Sequence, residues 1–225
     1  MLQLKNKSII IVGNSPNSRL ARFYFDEDTE YTVVGYALNK GFIKNAEYDN
    51  LPVYAIEELA EIYPPSKCDA FVAVGYNKMN KVREKLYNEM KGLGYNLPNY
   101  ISPRCSFLSR EPIGDNNLIL EDNTIQPFVK IGSNNVLWSG NHIGHDGSIG
   151  DHNFITSQVV VSGFVKIKNY CFLGVNATIR DAITIENDTL VAAGAIIMKD
   201  TIEKGVYLPA RSVLFDKRSD EIEIS

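Results

Sequence analysis

The chain holds little histidine, little cysteine and almost no tryptophan: three, three and one in 225 residues. Cys68, Cys105 and Cys171 are odd in number, far apart and without a C-x-x-C pair. That argues against a disulfide framework and fits buried thiols in a reducing compartment. No basic excess is present either, and a formal net charge of −4 speaks against a nucleic-acid binder. Long apolar runs are missing too. "SIIIVG" (8–13) is far too short to span a bilayer and lacks the length and small-residue cleavage site of a signal peptide. The expectation is a cytoplasmic protein without membrane insertion. The composition is otherwise ordinary, 44% hydrophobic and 22% charged, in a chain long enough for one large domain or two small ones.

Two halves obey different periodicities. Up to about residue 100, strand and helix signals alternate. "KSIIIVG" (7–13), "YTVVGYAL" (31–38) and "DAFVAVGY" (69–76) read as strands, the first of the fully buried parallel kind. "AIEELAEIY" (55–63) has helical spacing, and "NKVREKLYNEMKGLG" (80–94) is a helix ended by glycine. This alternation predicts a small parallel sheet covered by helices, with ligands at the carboxyl ends of its strands.

From Ile113 the period becomes six. Fifteen consecutive hexads begin with Ile, Leu or Val, from IGDNNL (113) to IMKDTI (197), without an insertion. A strict six-residue period of inward aliphatics is the mark of a parallel β-helix, here resembling the left-handed, three-sided hexapeptide-repeat type. Three hexads make an 18-residue coil, so fifteen make five coils and a prism roughly 24 Å tall at strand spacing. The arithmetic aligns IGDNNL (113), IGSNNV (131) and IGDHNF (149) one above another. It predicts a column of Asn117, Asn135 and Asn153 bonded up the stack. The organisation expected is an α/β domain over 1–102, a β-helix over 103–213 and a charged peripheral tail over 214–225.

All three histidines fall within "NHIGHDGSIGDHNF" (141–154), and the register separates them. His152 shares a column with Asn116 and Asn134 and reads as a turn residue. His142 ends its hexad on a flat side, where it either lines a cleft between subunits or simply packs. His145 is the third residue of its hexad and has Gly163 one coil above it. A glycine there admits close approach and offers an N–H to developing negative charge. Asp146 follows and is placed to orient the imidazole, a group matched to taking a proton near neutral pH. A zinc site of the carbonic anhydrase kind is the competing reading. It needs histidines about two coils apart, which this cluster does not supply, so no metal is expected.

The segments "IIIVG", "AVGYNKMNKVREKL", "IGHDGSIGD", "GFVKIKNYCFLGVNATI", "LVAAGAIIMKD" and "GVYLPAR" together resemble the bacterial sugar acetyltransferases. That family includes sialic acid O-acetyltransferase and the bacillosamine-type N-acetyltransferase. The resemblance implies an acetyl-CoA-dependent homotrimer with sites between subunits, acting by direct transfer on a sugar or nucleotide sugar destined for surface polysaccharide. It implies His145 as general base, Asp146 as its acidic neighbour and Gly163 as the amide near the thioester carbonyl. Val175 and Ala193, 18 residues apart, match positions along the bound acetyl-CoA, and Phe154 stands where relatives contact it with histidine. Arg211, in "YLPAR", is a fixed cation for a CoA phosphate, in an element lacking the family's glycine.

The first loop departs further. Relatives have a glycine-rich turn for the nucleotide, whereas "GNSPNSR" (13–19) has one glycine and a proline, and "GYALNK" lacks the family's acidic pair. Ser15, Asn17 and Asn77, at the ends of the first and third strands, are the candidate acceptor ligands, with helix N-terminal amides available for phosphate. The reading that results is N-acetylation of an amino group on a nucleotide-linked deoxyaminosugar. The alternatives are O-acetylation of a sugar hydroxyl, a metal-dependent hydratase and a non-catalytic solenoid that binds a sugar nucleotide.

Overall fold

The Ile9–Val12 run is uninterrupted by polar residues because both faces of its strand are covered. Ile9 and Ile11 pack beneath Phe25, while Ile10 and Val12 pack against Ile56, Leu59 and Met90. In the computed structural model, which describes residues 5–214, 216–219 and 222, the N-terminal part has five strands. They are β1 (Lys7–Val12), β2 (Tyr31–Leu38), β3 (Glu47–Tyr48), β4 (Leu51–Ala55) and β5 (Cys68–Val72). Helices α1 (Pro16–Asp28), α2 (Ile56–Ile62) and α3 (Lys81–Gly92) cover them. The sheet order is β3-β4-β2-β1-β5, parallel except for β3. The chain order therefore reverses beside β1, and the loops after β1 and β5 lie side by side at the strands' carboxyl ends.

One strand lies outside the expected elements, and one differs from its expected bounds. β4 contains Pro52, which reads against a strand, but its pairing there is with the two-residue edge strand β3. The expected strand over 69–76 stops at Val72. Beyond it Lys78, Met79 and Asn80 take left-handed backbone in succession, with φ of 52°, 48° and 65°.

From Tyr100 the chain winds as a left-handed parallel β-helix. Two-residue strands recur every six residues on three faces. The first face carries Leu118–Ile119, Val136–Leu137, Phe154–Ile155 and Phe172–Leu173. The second carries Thr124–Ile125, His142–Ile143 and Val160–Val161, and the third Lys130–Ile131, Ser148–Ile149 and Lys166–Ile167. From Ile119 to Ile197 the first residue of every hexad is buried in one continuous core. Each such side chain contributes about 1.5–3 kcal/mol. The fourth residue of every hexad from Asn116 to Gly194 has positive φ. This left-handed residue turns each corner, which is why Asn, Asp and Gly recur there. The ladder also runs past the fifteen hexads: Tyr100–Ile101 and Ser106–Phe107 add strands below, and Val206–Tyr207 adds one above.

The expected asparagine column is present. Asn135 Nδ2 donates to Asn117 Oδ1 at 3.0 Å, and the backbone N–H of Asn153 donates to Asn135 Oδ1 at 2.8 Å. The N-terminal domain covers the first face, the edge between the third and first faces, and part of the edge between the first and second. Val72 exchanges hydrogen bonds with the Asn116 side chain, Tyr170 donates to Glu84, and Tyr24 donates to Glu121. Among the described residues no helix is long and apolar enough to cross a membrane. Residues 215, 220, 221 and 223–225 of the expected tail lie outside the described residues.

Candidate functional site

His145 sits on the corner between the second and third faces, and its backbone is pinned on both sides. Its N–H donates to Gln126 Oε1 at 2.9 Å, and its carbonyl accepts from the Phe164 N–H at 2.9 Å. The next residue, Asp146, takes the left-handed corner conformation, φ 56°. The local turn brings its Oδ2 to 2.9 Å from His145 Nδ1. A carboxylate only accepts, so in a neutral imidazole this bond places the proton on Nδ1 and leaves Nε2 as the acceptor. The pair is half-exposed, 50% for His145 and 42% for Asp146, and therefore open to a substrate. The Phe164 ring meets the imidazole edge-to-face at 5.0 Å.

Gly163 lies directly over this ring. A Cβ there would come within 2.9 Å of His145 Nε2 and 3.0 Å of Cε1. The requirement for glycine is thus one of space, since its φ is not in the left-handed region. Among the described residues its N–H has no hydrogen-bond partner, whereas the equivalent N–H groups of Ser133 and Asp151 are bonded by side chains one coil up.

The other candidates form separate groups. Ser15, Asn17 and Asn77 gather at the carboxyl ends of β1 and β5. The Ser15 N–H donates to Ser18 Oγ, Ser18 Oγ donates to the Ala73 carbonyl, and Asn17 Nδ2 lies 3.0 Å from where a Gly75 Cβ would stand. Pro16 opens α1 at a position where its missing N–H costs nothing. Val175 and Ala193 are exposed on the corner between the first and second faces, stacked through the Gly194 N–H to the Val175 carbonyl. Arg211 is exposed just beyond Val206–Tyr207. His142 is partly exposed on the second face, between Thr124 and Val160. A single chain therefore brings together His145, Asp146 and Gly163, and separately the acceptor-loop residues, but it does not join these sets.

Phe154 stands apart from these groups. Only 2% exposed, it stacks on Phe172 at 5.9 Å and lies under Tyr76 at 5.0 Å. Its ring is part of the contact between domain and solenoid and also lines a small gap with Asn17, Ala73 and Val136.

His152 lies in the polar column at the docked edge. Asn116 Nδ2 donates to Asn134 Oδ1, and Asn134 Nδ2 then donates to His152 Nδ1, both at 2.8 Å. The ring stacks on Tyr170 at 5.1 Å. Burial holds its pKa below the ordinary value; Arg83 and Lys81 push the same way, and Glu84 and Asp151 oppose them. In the interval below about pH 6.5 the unfolded chain binds the proton that the folded chain refuses, so stability falls as pH falls through it. His152→Asn, which suits the left-handed corner, is expected to flatten this pH dependence in urea midpoints measured between about pH 5 and pH 7.5. An unchanged slope in the variant counts against the assignment.

The histidines do not converge. Among the described residues no three His, Cys, Asp or Glu side chains group as a metal site. Sequence reasoning missed Arg83, which is fully buried at the domain junction and which no apolar period reveals.

No family model matches the sequence. Among solved structures, the chain is similar to the acetyltransferase domain of PglB from Neisseria gonorrhoeae. The TM-score is 0.80 at 19% identity, over 91% of this chain and 100% of that one; the same domain in complex with acetyl coenzyme A gives 0.79. PerB from Caulobacter crescentus, in complex with CoA and GDP-perosamine, gives 0.77 at 21% identity, over 88% of this chain and 92% of that one. WeeI from Acinetobacter baumannii gives 0.73 at 19% identity, over 89% and 96%. These likenesses span both parts of the molecule, so the α/β domain followed by a left-handed β-helix is a fold this chain shares with them.

Proposed function

We propose that the protein transfers the acetyl group of acetyl-CoA to an amino group of a nucleotide-linked deoxyaminosugar. The observation that carries this reading is the His145–Asp146 pair, with its free Nε2 set against the unbonded Gly163 amide. The acceptor nitrogen attacks the thioester carbonyl, and a C–N bond forms as the carbonyl oxygen takes up negative charge. The Gly163 N–H stabilises that oxyanion. Nε2 takes the proton from nitrogen, Asp146 steadies the resulting imidazolium, and the same proton passes to the departing CoA sulfur as the C–S bond breaks. Similar folds hold acetyl-CoA in one case and CoA with GDP-perosamine in another, which favours an amino acceptor over a hydroxyl.

The separation of residues within one chain supports a shared site. His145 and Gly163 are on one prism edge and Val175 and Ala193 on another, while the acceptor loops sit with the domain that covers the first face. A cofactor touching both edges, and an acceptor reaching His145, need the prism of a second copy alongside, as in a homotrimer.

Incubation with acetyl-CoA and a panel of nucleotide-linked aminosugars and their hydroxyl analogues, following thiol release, tests the reaction. Transfer to hydroxyl acceptors alone would replace N- with O-acetylation, and no transfer to either defeats the proposal. Gly163→Ala is expected to displace the imidazole and lower kcat by about 100-fold, as a misplacement near 1 Å does, with little change in melting temperature. Near-wild-type kcat in that variant removes Gly163 from the site.

A further inference from the structure

Beside Asp146, on the third face, lies a groove of about 470 Å³ that none of the steps above uses. Three neighbouring strands build its floor, with Lys130 paired to Ser148 and Ser148 to Lys166 in the parallel ladder. The two lysines are exposed and stand two strand spacings apart, about 9.6 Å. Ser148 lies between them. Each lysine stem is long enough to bring its ammonium inward over the serine. Among the described residues neither ammonium has an ion-pair partner and the Ser148 hydroxyl makes no hydrogen bond, although Lys168, just beyond, is paired with Glu186. Phe128 walls the groove. It is 61% exposed and holds the left-handed corner common to the hexads from Asn116 to Gly194, φ 67°.

We propose that this groove is a diphosphate subsite, in which Lys130 and Lys166 close on the two phosphoryl groups and Ser148 donates between them. Lysine acts there as a point charge, which suits a flexible diphosphate. The Phe128 ring gives the adjoining sugar or pantetheine chain an apolar wall. Asp146 also borders the groove; its Oδ2 accepts from the His145 imidazole, and its charge opposes an anion there. Glu111 borders it as well, and its charge opposes the anion. Under the acetyl-transfer reading both substrates carry a diphosphate, the nucleotide sugar and CoA, and the subsite lies next to the corner where their reacting ends meet. Assigning the diphosphate to a substrate rests on that reading, whereas the groove's affinity for diphosphate does not.

Calorimetric titration of the full chain with inorganic pyrophosphate measures the subsite alone. Saturable binding is expected. It should weaken about tenfold or more in the Lys130→Met, Lys166→Met double variant, persist in the corresponding double Arg variant, and tighten in Glu111→Gln. In steady-state assays the double Met variant should raise KM about tenfold for one substrate, with kcat within about twofold. A rise for the nucleotide sugar places the acceptor in the groove, and a rise for acetyl-CoA places the cofactor there. Absence of saturable pyrophosphate binding, or affinities of wild type and double Met variant within about twofold, overturns the subsite. If the chain transfers no acetyl group yet pyrophosphate binding depends on the lysines, the subsite stands and the acetyltransferase reading falls.

Discussion

His145→Ala is expected to lower kcat for acetyl transfer by about 10²–10⁴-fold, the usual contribution of a positioned general base, while leaving the fold intact. The stability half of this expectation follows from placement. The side chain is half-exposed, its one side-chain hydrogen bond among the described residues is to the partly exposed Asp146, and its backbone bonds to Gln126 and Phe164 survive truncation. Surface changes of this kind fall within about 0.5 kcal/mol. The kinetic half follows from the role proposed for Nε2, for which alanine offers no replacement. KM for acetyl-CoA should move little, since the imidazole takes the acceptor's proton rather than holding the cofactor. Stopped thiol-release assays at saturating substrates, beside a thermal melt, separate the two. A variant with near-full kcat and an unchanged melt would sink the general-base role and leave His145 as a solvated corner residue.

The solenoid was legible because its constraint is local and repeated. Each coil needs one inward aliphatic per hexad and one left-handed corner, so the register that selects Ile119, Ile125 and Ile131 also places His145 beneath Gly163. The same register continues downward through Ile101 and Phe107, both packed against the core. A rule admitting only aliphatics halts at Ile113, because the aromatic Phe107 fills the next position below. The N-terminal sheet was readable where strands are buried on both faces, as in β1, and unreadable in β4, whose Pro52 contradicts its surroundings. Phe154 shows a different limit. Periodicity places it on the first face, but only the tertiary docking of Tyr76 shows what covers that face. The turn at Lys78–Asn80 was equally invisible, since its left-handed run of non-glycine residues is held by distant partners: Asn80 Nδ2 donates to the Cys171 carbonyl.

Arg83 is the residue on which domain docking depends most, and Arg83→Met is expected to cost about 2–4 kcal/mol of folding stability. The guanidinium is 0% exposed and, among the described residues, donates to no carboxylate. It spans the junction instead, giving hydrogen bonds to the carbonyls of Asn134 at 3.2 Å, Asn153 at 2.8 Å and Gly75 at 3.3 Å, and to Asn80 Oδ1 at 3.0 Å. Burial without a counter-charge pushes its pKa down to about 9, so the group is still cationic at neutral pH and its desolvation opposes folding. Methionine keeps much of the apolar stem and removes that cost. What it cannot do is satisfy the acceptors. The Asn153 carbonyl retains its bond from the Val136 N–H, but the Asn134 carbonyl and Asn80 Oδ1 are buried and lose their donor. Each such orphan costs about 1–3 kcal/mol, which outweighs the relief from removing one charge. Arg83→Lys should recover little, because a single ammonium cannot reach acceptors that a planar five-donor fork spans. Loss of the Asn80 contact also frees the left-handed turn, so Tyr76 should come away from Phe154 and expose the first face. Denaturant midpoints for wild type and both variants, with intrinsic fluorescence of Trp138 near that face, measure both effects. A loss below about 1 kcal/mol would mean that water reaches these carbonyls and that the apolar contacts of Tyr76, Phe154 and Phe172 hold the domains together without Arg83.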